Sequence, residues 1–269
     1  MAAKSLFTVS IPPLKDHVGG EIVCTEPAPE VYLLTFSSAP DNRLTPAFCA
    51  AMIKALDLIE LRKPATTGVV ITTSAIQKFY SNGLDLDLAI RTPGFTEDAL
   101  YPLFHRFLTF PMPTVALVNG HAFAGGFMLA MHHDYRVFAG DRGYMCINEL
   151  EFGAPLLPPM SGIFRTKLRA DVYRTTVLEA RRWDAQAALA AGIIDRADGL
   201  EGALALVRDG KLTTKGKTGV YGLLKEEMYR EQVALLTATG KDVVKFSDAM
   251  DREKKRKAGL KKRGAESKL

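Results

Sequence analysis

Short apolar runs alternate with helical periodicity along the first half of the chain. Residues 31–36, 68–73 and Thr114–Val118 are apolar or β-branched runs, and such runs predict buried strands. Between the first two runs, residues 46–62 repeat apolar side chains at helical spacing behind Thr45, which suits a helix N-cap. A strand, a helix and a second strand in this order predict a right-handed crossover and parallel pairing.

The remaining pattern continues this alternation and then becomes helical. Further strands are expected at 21–25, 135–139 and 144–147, and helices near 84–90, 96–108 and over much of 161–263. Repeated strand–turn–helix units predict an α/β fold. We therefore expect a core over residues 1–200 and a helical C-terminal region with a basic tail over residues 201–269.

Composition and charge narrow the class of protein. The 269 residues are 47% hydrophobic and 24% charged, which is ordinary for a globular protein. The three cysteines have no metal-ligand or redox spacing. The formal charge of +5 lies in residues 251–269, which hold nine Lys or Arg and three Asp or Glu without aromatic residues between them. We expect a solvated tail and no nucleic-acid partner. The longest apolar stretch, 114–131, is interrupted by polar and glycine residues, so no membrane insertion is expected.

The stretch from Asn119 to Gly153 carries the candidate chemistry. A glycine pair, Gly125 and Gly126, stands at the head of an apolar helical segment, where backbone N–H groups have no helical partner. Such groups can hold a carbonyl oxygen that becomes an anion during a reaction. Glu149 and Glu151 follow and supply carboxylates that can remove a proton beside that carbonyl.

Three motifs carry a resemblance to a known family. They are residues 119–126 with Asp134, residues 79–85, and residues 183–195. Together they resemble the crotonase (enoyl-CoA hydratase/isomerase) superfamily over roughly residues 20–200, and the likeness is greatest to peroxisomal Δ3,Δ2-enoyl-CoA isomerases of the fungal and plant type. The resemblance implies a spiral of ββα units with a helical C-terminal region, and a homotrimer or hexamer.

The resemblance also assigns roles to residues. It implies that the backbone N–H groups of Leu84 and Gly125 form the oxyanion hole, although an alignment shift by one would give the first role to Gly83. It implies an acyl-CoA thioester as substrate, with coenzyme A as part of that substrate, and neither a separate cofactor nor a metal. The remaining substrate-binding residues that it implies are Ser81, Asn82, Gly83, Asp85, Gly126 and Met128.

The carboxylates distinguish the reactions of the family. Its hydratases use two glutamates, and the position of the first is occupied here by Met128, whereas the second corresponds to Glu149. A single base can move a proton from C2 to C4, so the expected catalytic residue is Glu149 and the expected reaction is isomerisation of a 3-enoyl-CoA to the 2-trans isomer. If the segment is extended, Glu149 and Glu151 share one face and a hydratase remains open. A crotonase-fold binding protein without turnover is a second alternative.

Two further expectations concern the cellular location of the protein and the role of three histidines. The last three residues, Ser267, Lys268 and Leu269, match the tripeptide that peroxisomal import receptors read, so we expect a peroxisomal protein that acts in β-oxidation of unsaturated fatty acids. His121, His132 and His133 lie near the glycine pair, and structural hydrogen bonds are expected for them rather than catalysis.

Overall fold

The computed structural model describes residues 5–62, 66–140, 143–239 and 246–266. In chain order its strands are β1 Ser5–Ile11, β2 Gly20–Ala28, β3 Val31–Ser38, β4 Val69–Ser74, β5 Phe79–Ser81, β6 Thr114–Val118, β7 His121–Phe123, β8 Tyr135–Phe138 and β9 Met145–Cys146. The helices are α1 Pro46–Arg62, α2 Leu86–Arg91, α3 Tyr101–Leu108, α4 Gly125–His132, α5 Glu149–Phe152, α6 Pro158–Lys167, α7 Ala170–Leu178, α8 Ala185–Ala190, α9 Leu200–Asp209, α10 Tyr221–Met228, α11 Arg230–Leu236 and α12 Phe246–Glu266. A π-helical turn, Thr96–Leu100, precedes α3, and a 3₁₀ turn, Leu212–Thr214, follows α9.

The larger sheet has the strand order β1-β2-β3-β4-β6-β8. The pairs β1–β2 and β2–β3 are antiparallel, whereas β3, β4, β6 and β8 are parallel. The predicted parallel pairing is therefore confirmed, since β3 and β4 pair in parallel on either side of α1. Helix α1 begins where it was predicted, and the Thr45 hydroxyl accepts a hydrogen bond from the Phe48 N–H at 3.2 Å.

The smaller sheet has the order β5-β7-β9, and its strands are parallel. Each turn of the chain places one strand in the larger sheet and the next in the smaller sheet before a helix follows. The turns are β4-β5-α2, β6-β7-α4 and β8-β9-α5. This arrangement confirms the expected spiral of ββα units, although the strand His121–Phe123 was not predicted because two or three residues show no periodicity.

Side chains of the central strands of the larger sheet, β3, β4 and β6, are buried on both faces. On β3, Tyr32, Leu34 and Phe36 pack into the main core, whereas Val31 and Leu33 face a second apolar cluster. Helix α9 contributes Ala203 and Val207 to that second cluster. A strand that is covered on both faces needs apolar residues at every position, which explains the uninterrupted runs in the sequence.

A buried ion pair fixes the C-terminal helices to the spiral. The Lys225 ammonium on α10 lies 2.9 Å from the Asp134 carboxylate, and their side chains are only 6% and 9% exposed. Asp134 also accepts a hydrogen bond from the Thr114 N–H at 2.9 Å, and Lys225 donates to the Phe107 carbonyl at 3.1 Å. Burial lowers the pKa of Lys225, and the neighbouring carboxylate opposes that change. In the described part of the chain, no helix is long and apolar enough to span a membrane.

Replacement of Lys225 by methionine should destabilise the fold strongly. The variant leaves the Asp134 carboxylate buried without its cation, and breaking such a pair reduces the free energy of unfolding by about 3–5 kcal/mol. Urea denaturation measures the loss. The matched control is Arg230→Met, which removes the exposed ion pair with Glu227 and should change that free energy by less than about 1 kcal/mol. Equal losses in both variants would contradict the prediction.

Candidate active site

The three segments singled out by the sequence all follow strands of the smaller sheet. Residues 82–84 follow β5, residues 124–126 follow β7, and Glu149 lies three residues after the end of β9. Because these strands are parallel neighbours in the order β5-β7-β9, their carboxyl ends meet at one edge. The Ala124 N–H also donates to the Cys146 carbonyl at 2.9 Å, which extends the pairing beyond β7. Ligands of open parallel sheets typically bind at this edge.

The loop after β5 turns sharply at Gly83. Its φ of 76° lies in the left-handed region, and a Cβ at this position would stand 2.9 Å from the Gly125 nitrogen. The Ser81 hydroxyl donates to the Asn42 carbonyl at 2.7 Å and accepts from the Gly83 N–H at 3.2 Å. The turn therefore requires glycine and lies directly against the start of α4.

The start of α4 is equally crowded. A Cβ at Gly126 would stand 2.3 Å from the Ser81 carbonyl oxygen, so this position also requires glycine. Ala124, the residue before the helix, has φ 48° and ψ −118°, which is a strained conformation for a residue with a side chain. Backbone strain of this kind persists only where the surrounding structure enforces it, and it concentrates at functional sites.

The two predicted oxyanion donors are brought together. An ideal Cβ on Gly125 would lie 3.4 Å from the Leu84 side chain, so the two residues are in contact. Among the described residues, neither the Leu84 N–H nor the Gly125 N–H has a protein acceptor. The Gly83 N–H, in contrast, is already used by the Ser81 hydroxyl. The geometry therefore favours Leu84 over Gly83 as the first donor.

Glu149 is a buried carboxylate at the same edge. It begins α5 and is 8% exposed, and its Oε2 atom has no hydrogen-bond partner among the described residues. Burial is the main cause that raises the pKa of Glu149, to about 7, and a backbone hydrogen bond opposes the change. A carboxyl with this pKa exchanges protons readily near neutral pH, which is what a general base requires.

Glu151 does not share the position of Glu149. The extended conformation that would put both on one face is wrong, because residues 149–152 form a helical turn. Residues two positions apart in an α-helix, such as 149 and 151, are separated by about 200° around the helix axis. The Glu151 side chain is 47% exposed and lies 3.4 Å from the Arg182 guanidinium. The structure therefore separates Glu149 from Glu151, the two carboxylates that would have to act together if the protein were a hydratase.

Met128 lies in the first turn of α4, where it was predicted. Its N–H donates to the Ala124 carbonyl at 3.0 Å, and the side chain is 1% exposed within the main core. A thioether in this place is apolar and accepts hydrogen bonds only weakly. Met128 therefore adds no charge to the first turn of the helix that begins at Gly125.

Two residues expected to bind substrate use their side chains within the protein. The Asn82 amide donates to the Asp41 carboxylate at 2.7 Å, and Asp85 caps α2 by accepting from the Leu88 N–H at 2.9 Å. Asp85 also lies 3.0 Å from His17. The hydrogen bond to the Leu88 N–H is the largest cause that lowers the pKa of Asp85. Both side chains thus hold the conformation of the loop.

Sequence reasoning missed the segment that supports this loop. Asn42, with φ 54°, donates its amide to the Ser74 hydroxyl at 2.6 Å and to the Tyr80 carbonyl at 3.1 Å. The Arg43 guanidinium donates to the Leu84 carbonyl at 2.7 Å. An asparagine followed by an arginine in a polar loop gives no signal of such long-range contacts.

The histidines make structural hydrogen bonds, as expected. The rings of His132 and His133 contact the Met128 and Leu129 carbonyls at 2.7 and 2.9 Å. Burial lowers the pKa of His132 to about 3 and that of His133 well below its usual value. The His121 ring accepts a hydrogen bond from the Tyr144 N–H at 3.1 Å.

Comparison with known sequences identifies a family. A family model described as enoyl-CoA hydratase/isomerase matches residues 28–262. The chain is 30% identical over 235 residues to enoyl-CoA delta isomerase 3 of Arabidopsis thaliana, covering 82% of this chain and 98% of that protein. It is 32% identical over 231 residues to the peroxisomal enoyl-CoA delta isomerase 2 of the same plant, with coverage of 80% and 95%.

Solved structures share the fold. Human mitochondrial delta3-delta2-enoyl-CoA isomerase matches with a TM-score of 0.70 at 23% identity, over 79% of this chain and 84% of that chain. An enoyl-CoA hydratase from Mycobacterium marinum matches with a TM-score of 0.69 at 20% identity, over 80% and 94%. At these identities the structures establish the fold alone. Together with the sequence matches, the spiral and its glycine-lined edge show that the chain belongs to the enoyl-CoA hydratase/isomerase family.

Proposed function

We propose that the chain is a Δ3,Δ2-enoyl-CoA isomerase that shifts the double bond of a 3-enoyl-CoA to the 2-trans position. The observation that carries this proposal is the sheet edge at which two backbone N–H groups and one buried carboxylate follow neighbouring strands. Among the described residues, the two N–H groups have no acceptor and the Oε2 atom of the carboxylate has no hydrogen-bond partner. The named relatives from Arabidopsis thaliana support the isomerase over other activities of the family.

The reaction follows from these groups. The thioester oxygen accepts hydrogen bonds from the Leu84 and Gly125 N–H groups, which stabilise the enolate that forms when C2 loses a proton. Donors of this kind each lower a barrier by roughly 2.7–4 kcal/mol in other oxyanion holes. Glu149 takes the C2 proton and returns it to C4, so the double bond moves and no water is consumed. Ser81, Gly83 and Gly126 bring the two donors close enough to share one oxygen.

A hydratase needs a second carboxylate to hold and activate water. Met128 occupies the helix position where the family's hydratases carry one, and Glu151 is turned towards Arg182. The arrangement therefore supports transfer of a proton by one base rather than addition of water. The buried base and the paired donors also support a catalyst rather than a binding protein without turnover.

The cellular setting is part of the proposal. Two of the Arabidopsis thaliana relatives are named as peroxisomal, which supports a peroxisomal enzyme in β-oxidation of unsaturated fatty acids. The tripeptide Ser267, Lys268 and Leu269, expected to engage the import receptor, lies outside the described residues. A homotrimer or hexamer is supported by exposed apolar side chains of α10, namely Leu223, Leu224 and Met228.

Replacement of Glu149 by glutamine tests the catalytic base. The amide keeps the size of the side chain but cannot accept the C2 proton, so turnover of 3-hexenoyl-CoA should fall by about 100- to 10,000-fold. Affinity for a saturated acyl-CoA, measured by calorimetry, should remain within a few fold. Glu151→Gln is the matched control and should retain nearly wild-type turnover. The assignment of the base is wrong if the two variants behave the other way round.

The pH profile should report the same carboxyl. Because the base must be deprotonated, kcat/KM should rise with pH and level off above a pKa of about 7. Stability should change in the opposite direction. A carboxyl whose pKa is raised by folding stabilises the protein below its unfolded pKa and loses that contribution as pH rises through about 7. Glu149→Gln should therefore gain stability over the wild type between pH 5 and 8, by about 1.4 kcal/mol per pKa unit of the shift. A parallel pH dependence in both proteins would contradict this expectation.

Replacement of Met128 by glutamate tests the argument from the missing carboxylate. Two neighbouring carboxyls repel, so one should have a raised pKa and remain partly protonated. An acid and a base together can bind and activate a water, so weak hydration of crotonyl-CoA should appear while isomerisation of 3-hexenoyl-CoA falls. Met128→Gln is the uncharged control and should not gain hydration. Wild-type protein that hydrates crotonyl-CoA faster than it isomerises 3-hexenoyl-CoA would overturn the argument.

A further inference from the structure

The backbone of the loop that carries the Leu84 N–H is hydrogen-bonded to residues 41–44. The Asn82 N–H donates to the Asp41 carbonyl at 3.0 Å, and the Leu44 N–H donates to the Gly83 carbonyl at 2.9 Å. The Gly83 carbonyl and the Leu84 N–H belong to one planar trans peptide and point in opposite directions. The hydrogen bond from Leu44 therefore sets the direction in which the Leu84 N–H points.

Arg43 holds the carbonyls on either side of that peptide. One guanidinium nitrogen, Nη1, donates to the Asn82 carbonyl at 3.1 Å and to the Leu84 carbonyl at 2.7 Å. With both neighbouring carbonyls fixed, the peptide between them cannot rotate without breaking a hydrogen bond to a charged donor, and such bonds are roughly twice as strong as neutral ones.

The guanidinium is itself fixed in orientation. Its Nε donates to the Asp41 carboxylate at 3.1 Å, and the same Asp41 oxygen accepts from the Asn82 amide at 2.7 Å. Asp41, Arg43 and Asn82 therefore form a closed ring of hydrogen bonds. Because a guanidinium is planar and presents its donors in a rigid fork, fixing Nε also aims Nη1 at the loop.

We propose that Arg43 is a positioning residue of the oxyanion hole: it acts through the loop 82–84 to aim the Leu84 N–H at the thioester oxygen, without touching the substrate itself. This inference rests on the proposed function. The Arg43 side chain is 31% exposed, and the Asp41 carboxylate keeps the hydrogen bond from the Asn82 amide when Arg43 is replaced. Its loss should therefore reduce the rate far more than the stability.

The experiment compares three variants. Arg43→Met removes every donor while keeping an unbranched side chain, and Arg43→Lys keeps a charge but loses the fork. The matched control is Arg106→Met, because Arg106 is 23% exposed, also pairs with carboxylates, Asp57 and Glu60, and does not contact the loop. Each protein is measured for kcat and KM with 3-hexenoyl-CoA and for its Tm.

A second readout needs no turnover. Acetoacetyl-CoA readily loses its C2 proton to give an enolate that absorbs in the near ultraviolet, and the oxyanion hole should lower the pH at which the bound ligand ionises. Ultraviolet titration of the bound ligand therefore reports how well the two N–H groups stabilise the charge. A purely structural loss elsewhere in the protein would leave this titration unchanged.

We expect replacement of Arg43 to lower kcat and to leave KM nearly unchanged. Arg43→Met should lower kcat by about 10- to 100-fold, less than the 100- to 1,000-fold loss known for removal of a whole oxyanion donor, with KM within about threefold. It should also raise the pH at which bound acetoacetyl-CoA ionises. Arg43→Lys should recover part of the lost kcat and part of the shift in the ionisation pH. Arg106→Met should leave kcat and the ionisation pH at wild-type values. The Tm of each variant should fall by only a few degrees.

The inference is overturned if the wild type isomerises 3-hexenoyl-CoA while both Arg43 variants match Arg106→Met in kcat and in the titration. It is also overturned if Arg43→Met raises KM alone. If Arg43→Met does not fold, Arg43→Lys carries the same comparison. A wild type that ionises bound acetoacetyl-CoA but does not isomerise would refute the proposed function and leave the role of Arg43 to be decided by the titration alone.

Discussion

The parallel pairing of three very short strands is the constraint on which the site depends. Neighbouring strands of a sheet lie about 4.8 Å apart, so the chain segments that leave β5, β7 and β9 emerge side by side. The register then places the turn at Gly83, the start of α4 and the start of α5 at one edge. Contacts between backbones complete this arrangement, because Gly126 lies against the Ser81 carbonyl and Gly83 against the Gly125 nitrogen. Side chains at either glycine would force these loops apart.

Several features of this edge are unfavourable for folding taken alone. Ala124 adopts a strained backbone conformation, two N–H groups lack acceptors among the described residues, and Glu149 is buried without a partner for Oε2. Each is a group prepared for an interaction that the protein alone does not supply. The larger sheet offsets these costs, since its central strands bury apolar side chains on both faces. The larger sheet thus contributes much of the apolar burial, and the groups of the candidate site follow the strands of the smaller sheet.

The sequence predicts the parts of this structure that have local signals. Uninterrupted apolar runs identified the central strands, and Thr45 with the following proline marked the start of α1. The glycine pair at 125 and 126 indicated backbone N–H groups without partners at the start of a helix. The strands β5 and β7, of three residues each, carry too little periodicity to be found, although the run at 144–147 did predict β9. The helical turn at 149–152 was missed because four residues fit either conformation. Asn42 and Arg43 act across about 40 residues of sequence, as in the bond from Arg43 to Leu84, and no local pattern records such contacts.

The helical conformation of α5 distinguishes isomerisation from hydration better than the number of glutamates in the segment does. Had residues 149–151 been extended, Glu149 and Glu151 would share a face, and a pair able to activate water would be available. In the helical turn, one glutamate is buried and the other meets Arg182 at the surface. A carboxylate that is buried alone has a raised pKa and acts by exchanging one proton. Glu151, which is exposed and paired with Arg182, does not share the buried position of Glu149. Under the proposed function, the two glutamates of this motif therefore supply one base, and proton transfer between two carbons of the substrate is the reaction that one base can complete.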